Sequence, residues 1–155
     1  MADKREQILV RLEDILALVE GIETVARNRG LMSNDKRPAI ILLDGDESVT
    51  VQSPRRSNYP GLTPTINRAR PEIYVLLKEE RPTNITAGGK TVGTELNRLR
   101  IDITTRIATD AALLALMGSN GGMRYLGCAT DLKSGSSLSG EMRLDFSFDY
   151  VFDPL

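Results

Sequence analysis

The 155-residue sequence contains no histidine and no tryptophan, and its one cysteine is Cys128. Histidine is the side chain best suited to moving protons near neutral pH and a common metal ligand, so its absence lowers the expectation of hydrolytic or zinc chemistry. A lone cysteine excludes an internal disulfide and suits a reducing compartment. No apolar run approaches the ~20 residues that span a bilayer, so no membrane partner is expected. The charged start MADKREQ leads into a helical pattern and does not read as a secretory signal. Basic residues (20) nearly balance acidic ones (21), and a net charge of −1 makes no global case for nucleic-acid binding.

Apolar content of 41 % is ordinary for one globular domain, expected here to span residues 1–155. Ile8, Leu9, Leu12, Ile15, Leu16 and Val19 recur at helical spacing. They predict an amphipathic helix over 3–19, with Asp3 as N-cap, Glu6 completing a capping-box variant, and Gly21 as its end. A short strand is expected at 23–27. The apolar run 39–43 predicts a strand, Asp44-Gly45-Asp46 a turn, and 48–52 its hairpin partner. Residues 72–78 alternate as another strand, and 79–90 read as loop around Pro82 and Gly88-Gly89. A second helix is expected from Thr91 or Val92 to Met117, carrying Leu96, Leu99, Ile103, Ile107 and Leu114 on one face, with a break at Thr109-Asp110.

Residues 123–130 and 140–152 predict a closing hairpin. In its second arm Met142, Leu144, Phe146, Phe148, Tyr150 and Phe152 alternate with Arg143, Asp145, Ser147 and Asp149. Four of the seven aromatic residues fall on that apolar face, so burying it supplies much of the core. The opposite, charged face is expected to be wet or to meet a partner through polar contacts. The fold class is therefore α+β: a mainly antiparallel sheet with two helices packed on one face and a C-terminal β-hairpin.

Residues 53–70, SPRRSNYPGLTPTINRAR, carry Arg55, Arg56, Arg68 and Arg70 and no acid, a charge of +4 that leaves −5 for the rest. Pro54, Pro60 and Pro64 disfavour regular structure. A long structureless segment in a small domain is commonly functional or disordered, so this one reads as a projecting basic arm, with a disordered solvated loop as the alternative. Its candidate contacts are Arg55, Arg56, Tyr59, Arg68 and Arg70. They suit an acidic neighbour such as another copy of the chain, with DNA phosphates as a secondary target.

Other chemistry is sparse. Gly88-Gly89-Lys90-Thr91 resembles the end of a phosphate-binding loop and would suit a nucleotide-binding enzyme. The full pattern needs glycine at position 84, which is Asn84, and a strand leading directly into the loop. Asp44, Asp46 and Glu47 lack the spacing of a calcium loop and read as a solvated turn. Cys128, with no histidine to activate it, reads as a small buried residue. No catalytic residue, cofactor or metal is expected.

Three segments carry a family resemblance. They are REQILVRLEDILALVEGIETVARN with PAIILLDGDE, ELNRLRIDITTRI with TDAALLALMGSNGGMRYLG, and TDLKSGSSLSGEMRLDFSFDYVFDP. Together they cover most of the chain, which resembles the tail terminators (tail completion or minor tail proteins) of long-tailed bacteriophages. The resemblance implies a non-enzymatic virion protein, assembled in the bacterial cytoplasm. It implies a homohexameric ring at the head-proximal end of the tail tube that ends tube polymerisation and joins the head connector. DNA would pass through the lumen without sequence-specific binding. Sibling neck or head-closure proteins share this plan and are the alternative within the virion.

Overall fold

The computed structural model describes residues 3–30, 34–52, 61, 63–77, 85–131 and 140–153. In chain order it forms helix α1 (Lys4–Leu16), strand β1 (Thr24–Arg27), a 3-10 turn (Asn34–Lys36), strands β2 (Ala39–Gln52) and β3 (Thr65–Leu76), helices α2 (Ile85–Thr109) and α3 (Ala111–Met117), and strands β4 (Gly122–Asp131) and β5 (Glu141–Phe152). The strands make one mixed sheet in the order β1-β2-β3-β5-β4. Only β1 and β2 run parallel; the other neighbours are antiparallel.

Alternation along β5 decides which face the helices cover. Met142, Leu144, Phe146, Phe148 and Tyr150 are buried, as are Ile40, Leu42, Ala69, Ile73 and Val75 beside them. Against this face lie Ile8, Leu12 and Ile15 of α1, Leu99, Ile103 and Ile107 of α2, and Leu113 and Met117 of α3. Each fully buried side chain of this size contributes about 1.5–3 kcal/mol before the entropy of ordering it is counted. Among the described residues, the other face carries only a small apolar group, Ala39, Ile41 and Leu76, with Leu43 and Tyr74 against it. Phe152, at the end of the alternating run, is left exposed.

Helix ends follow local chemistry. The Asp3 carboxylate accepts from the Arg5 and Glu6 backbone N–H groups, capping α1. The helix stops at Leu16, short of Val19, although Val19 is still buried through the turn that follows. The break at Asp110 is real: its backbone is extended and its side chain caps α3 through Leu113 N–H at 2.9 Å. Gly118, at φ 66°, ends α3.

Other features also differ from the sequence expectation. Asp44-Gly45-Asp46 is not a turn. β2 continues through it to Gln52, and the register with β3 shifts between Leu43 and Asp46, which makes it a β-bulge. Gly45 has φ +67°, and a β-carbon there would collide with the Arg70 carbonyl. The hairpin partner of β2 is therefore β3, which begins at Thr65 and takes in the last six residues of the supposed arm. Helix α2 begins at Ile85, so 85–90 is helical where loop was expected. Finally, Cys128 is exposed, because β4 is the last strand of the sheet.

Candidate interaction surface

The β2–β3 hairpin is anchored at its bulge by α1 and β1. The Arg27 guanidinium binds both Asp44 carboxylate oxygens (2.6 and 2.9 Å) and both Glu6 oxygens (2.8 and 2.8 Å). Arg5 donates to the Gly45 carbonyl at 2.7 Å, and the Asp44 N–H donates to Asn28 Oδ1 at 3.0 Å. These bonds hold the Glu6 and Asp44 carboxyls below their ordinary range, chiefly through Arg27, whose own pKa rises in return. Both Asp44 oxygens are occupied by a cation of the chain itself. Among the described residues, no group of three or more His, Cys, Asp or Glu side chains is arranged to hold a metal ion.

Beyond the bulge, β2 outruns its neighbour. β1 pairs with residues 39–42 only, and its contact ends where Asn28 N–H reaches the Leu42 carbonyl at 2.8 Å. From Asp46 to Gln52, β2 pairs with β3 on one side, and among the described residues nothing pairs with its other edge. This overhang is exposed from end to end in the residues whose side chains are described, Val49 to 49 % and Val51 to 53 %. Its uncharged, β-branched stretch, residues 48–52, is a template for another strand unless something covers it.

The outer sheet face beside the overhang is a set of charge pairs. Arg68 forks onto Asp149 at 2.8 and 3.0 Å. The pair is partly buried, and it lowers the Asp149 pKa and raises that of Arg68. Arg70 and Arg124 act on the same carboxylate at longer range. Lower on the face, the Tyr74 hydroxyl donates to Glu72 at 3.1 Å and Arg143 pairs with Asp145 at 3.1 Å. A shallow cavity of about 240 Å³ lies between Arg70, Glu72, Arg143 and Leu126. Charges of both signs line it, so it favours neither anions nor cations.

The five candidate contacts thus separate. Arg55, Arg56 and Tyr59 lie outside the described residues. Arg68 is not on an arm; it belongs to strand β3 and its fork geometry is spent on Asp149. Arg70 is also in β3 but exposed, opposite Asp46 in register. Gly88-Gly89-Lys90-Thr91 lie inside α2 and not in the loop that the phosphate-binding reading expected. Sequence reasoning missed the β2 edge. The available signal was alternation continuing through 46–52 at a length matching 65–70. It also missed Asp149 and Arg124 as the surroundings of Arg68, for which the sequence offered no signal.

Compared with known proteins, the sequence matches no protein-family model and no curated protein.

Proposed function

We propose that this chain is a structural subunit of a bacteriophage tail, the terminator that forms a homohexameric ring on the head-proximal end of the tail tube. In this role it ends tube growth and presents a joint to the head connector, while DNA passes through the lumen without sequence-specific contact. The observation that carries the reading is the overhang of β2: an anchored strand with an open edge that exposes Val49 and Val51 is a surface for another polypeptide. The resemblance of three segments supplies the identity of the assembly. Beside the overhang, Asp44 and Asp149 serve as ion-pair partners of Arg27 and Arg68, which agrees with a structural role.

Electron microscopy of the purified protein, alone and mixed with tail tubes, tests this. Rings at one tube end, with tubes of arrested length, are the expected result. Protein that stays monomeric at high concentration and leaves tube ends bare overturns the reading. Binding to the head connector but not to tubes would assign the chain to the neck instead.

A further inference from the structure

The sheet has two unlike open edges of similar length. One is the overhang of β2, residues 46–52. The other is β4, which pairs with β5 and, among the described residues, with nothing on its far side. Both are solvent-facing: Val49 and Val51 on the first, Tyr125 (43 % exposed), Leu126 (54 %) and Cys128 on the second. Their charges differ: the overhang carries Asp46 and Glu47, while β4 carries Arg124 and, at its end, Asp131.

We infer that the β2 overhang of one copy receives the β4 edge of a second copy, joining the sheets of neighbouring subunits edge to edge. The inference rests on the ring reading above and names the contact from which the ring is built. Backbone N–H and C=O groups left open on each strand pair across the junction. The apolar side chains of Val49 and Val51 then lie among those of Tyr125 and Leu126. Because the two edges lie toward opposite ends of the strand order, the contact is head-to-tail. Such contacts propagate and close into rings, whereas pairing of like edges stops at two subunits. In a junction of β2 with β2, Asp46 and Glu47 of the two copies would repel, which favours the mixed junction. β1 sets its limit, because it occupies residues 39–42 and leaves the distal half of β2 alone for the incoming strand.

Cys128 on β4, the single cysteine of the chain, makes the junction testable without disturbing that strand. Val49→Cys and Val51→Cys place a second thiol on the overhang. Within one subunit the two strands are three strand spacings apart, about 14 Å or more, beyond a short bismaleimide. The reagent is applied to the oligomer, formed alone or on tail tubes. The expected result is a ladder of covalent oligomers in Val49→Cys or Val51→Cys, lost when Cys128→Ser is added. Thr105→Cys, exposed on α2, is expected to give no ladder. Dimers alone in the Val49→Cys/Cys128→Ser variant would mean β2 pairs with β2, and dimers of the unsubstituted chain would mean β4 pairs with β4; each overturns the proposal. An oligomer that caps tubes without the ladder overturns the edge junction and leaves the terminator reading standing. Protein that remains monomeric with and without tubes removes both.

Discussion

Arg11 on α1 holds both carboxylate oxygens of Asp110, at 2.9 and 2.6 Å, while the same carboxylate caps α3. One side chain therefore fixes the angle between α2 and α3 and ties that corner to the first helix. Asp110→Ala loses the cap, worth about 1 kcal/mol, and the ion pair with it. Asp110→Asn keeps an oxygen for Leu113 N–H and loses the charge alone. Thermal unfolding should rank them wild type, Asn, Ala, with the cap accounting for about 2–4 °C of the drop. Equal melting temperatures for Asn and Ala would show that the cap contributes nothing.

The Arg27 cluster makes stability depend on acid. Glu6, Asp44, Asp110 and Asp149 all have folded-state pKa values below their ordinary ones, each chiefly through a hydrogen-bonded arginine. Carboxylates depressed in the folded state add stability that is present above the ordinary range near pH ~4 and is lost as pH falls through the folded values. Wild-type stability should decline below about pH 4. Arg27→Met should be destabilised at pH 7, and its deficit should shrink at pH 3, because the pairing of Arg27 with Glu6 and Asp44 weakens as pH falls through their lowered folded values. Urea unfolding at the two pH values checks this; a deficit that stays constant would remove Arg27 as the cause.

The bulge at Gly45 is the joint from which the overhang departs. Alanine there would need a left-handed backbone and would strike the Arg70 carbonyl. Gly45→Ala should cost about 2–3 kcal/mol in chemical unfolding, the upper range for single substitutions. A cost below that of an ordinary surface change would mean the bulge can be removed freely.

Much of the fold was legible in the sequence. Apolar stripes on α1 and β5 admit one pairing of faces, and Asp110 announced the break between helices by its chemistry. The bulge was not legible, because an Asp-Gly pair with positive φ serves a hairpin turn and a bulge alike. What decides between them is Arg27 and Arg5 reaching in from β1 and α1, contacts 17 and 40 residues away. The exposure of Cys128 depends on strand order, since the same apolar pattern is buried in a central strand and open in a terminal one. The partner of Arg68 lies 81 residues along the chain and is set by the β3–β5 register, which no local pattern encodes. Of the candidate surface, the basic segment was visible as composition, whereas the open edge beside it required the pairing.

Arg68 and Arg70, two residues apart on one strand, should respond differently. Arg68→Ala strands the partly buried Asp149, and Arg124 and Arg70 compensate only at a distance. Arg70→Ala removes an exposed side chain that makes no hydrogen bond to the described residues, and should stay within about 0.5 kcal/mol of wild type. Denaturant midpoints measured side by side should move clearly for Arg68→Ala alone. If Asp149→Ala is added to Arg68→Ala, part of the loss should return, because no buried charge is left unpaired. A double variant no better than the single one would show that packing of the arginine stem, rather than charge, is the cause.

Gly88 and Gly89 give a sign test of the helix that begins at Ile85. In a phosphate-binding loop, glycine is needed for backbone conformations closed to other residues, and alanine abolishes binding. In a helix interior glycine is the weak choice, and alanine both raises helix propensity and reduces the freedom of the unfolded chain. Gly88→Ala and Gly89→Ala should therefore each raise stability, by about 0.5–1 kcal/mol. Addition of ATP or GTP should leave the melting temperature unchanged in the wild type and in Lys90→Ala, since a ligand that binds the native state must raise it. A nucleotide-dependent rise abolished by Lys90→Ala would restore the phosphate-site reading. Loss of stability in both glycine variants would place the start of α2 beyond Gly89, since the propensity argument holds at either position only if the helix is already formed there.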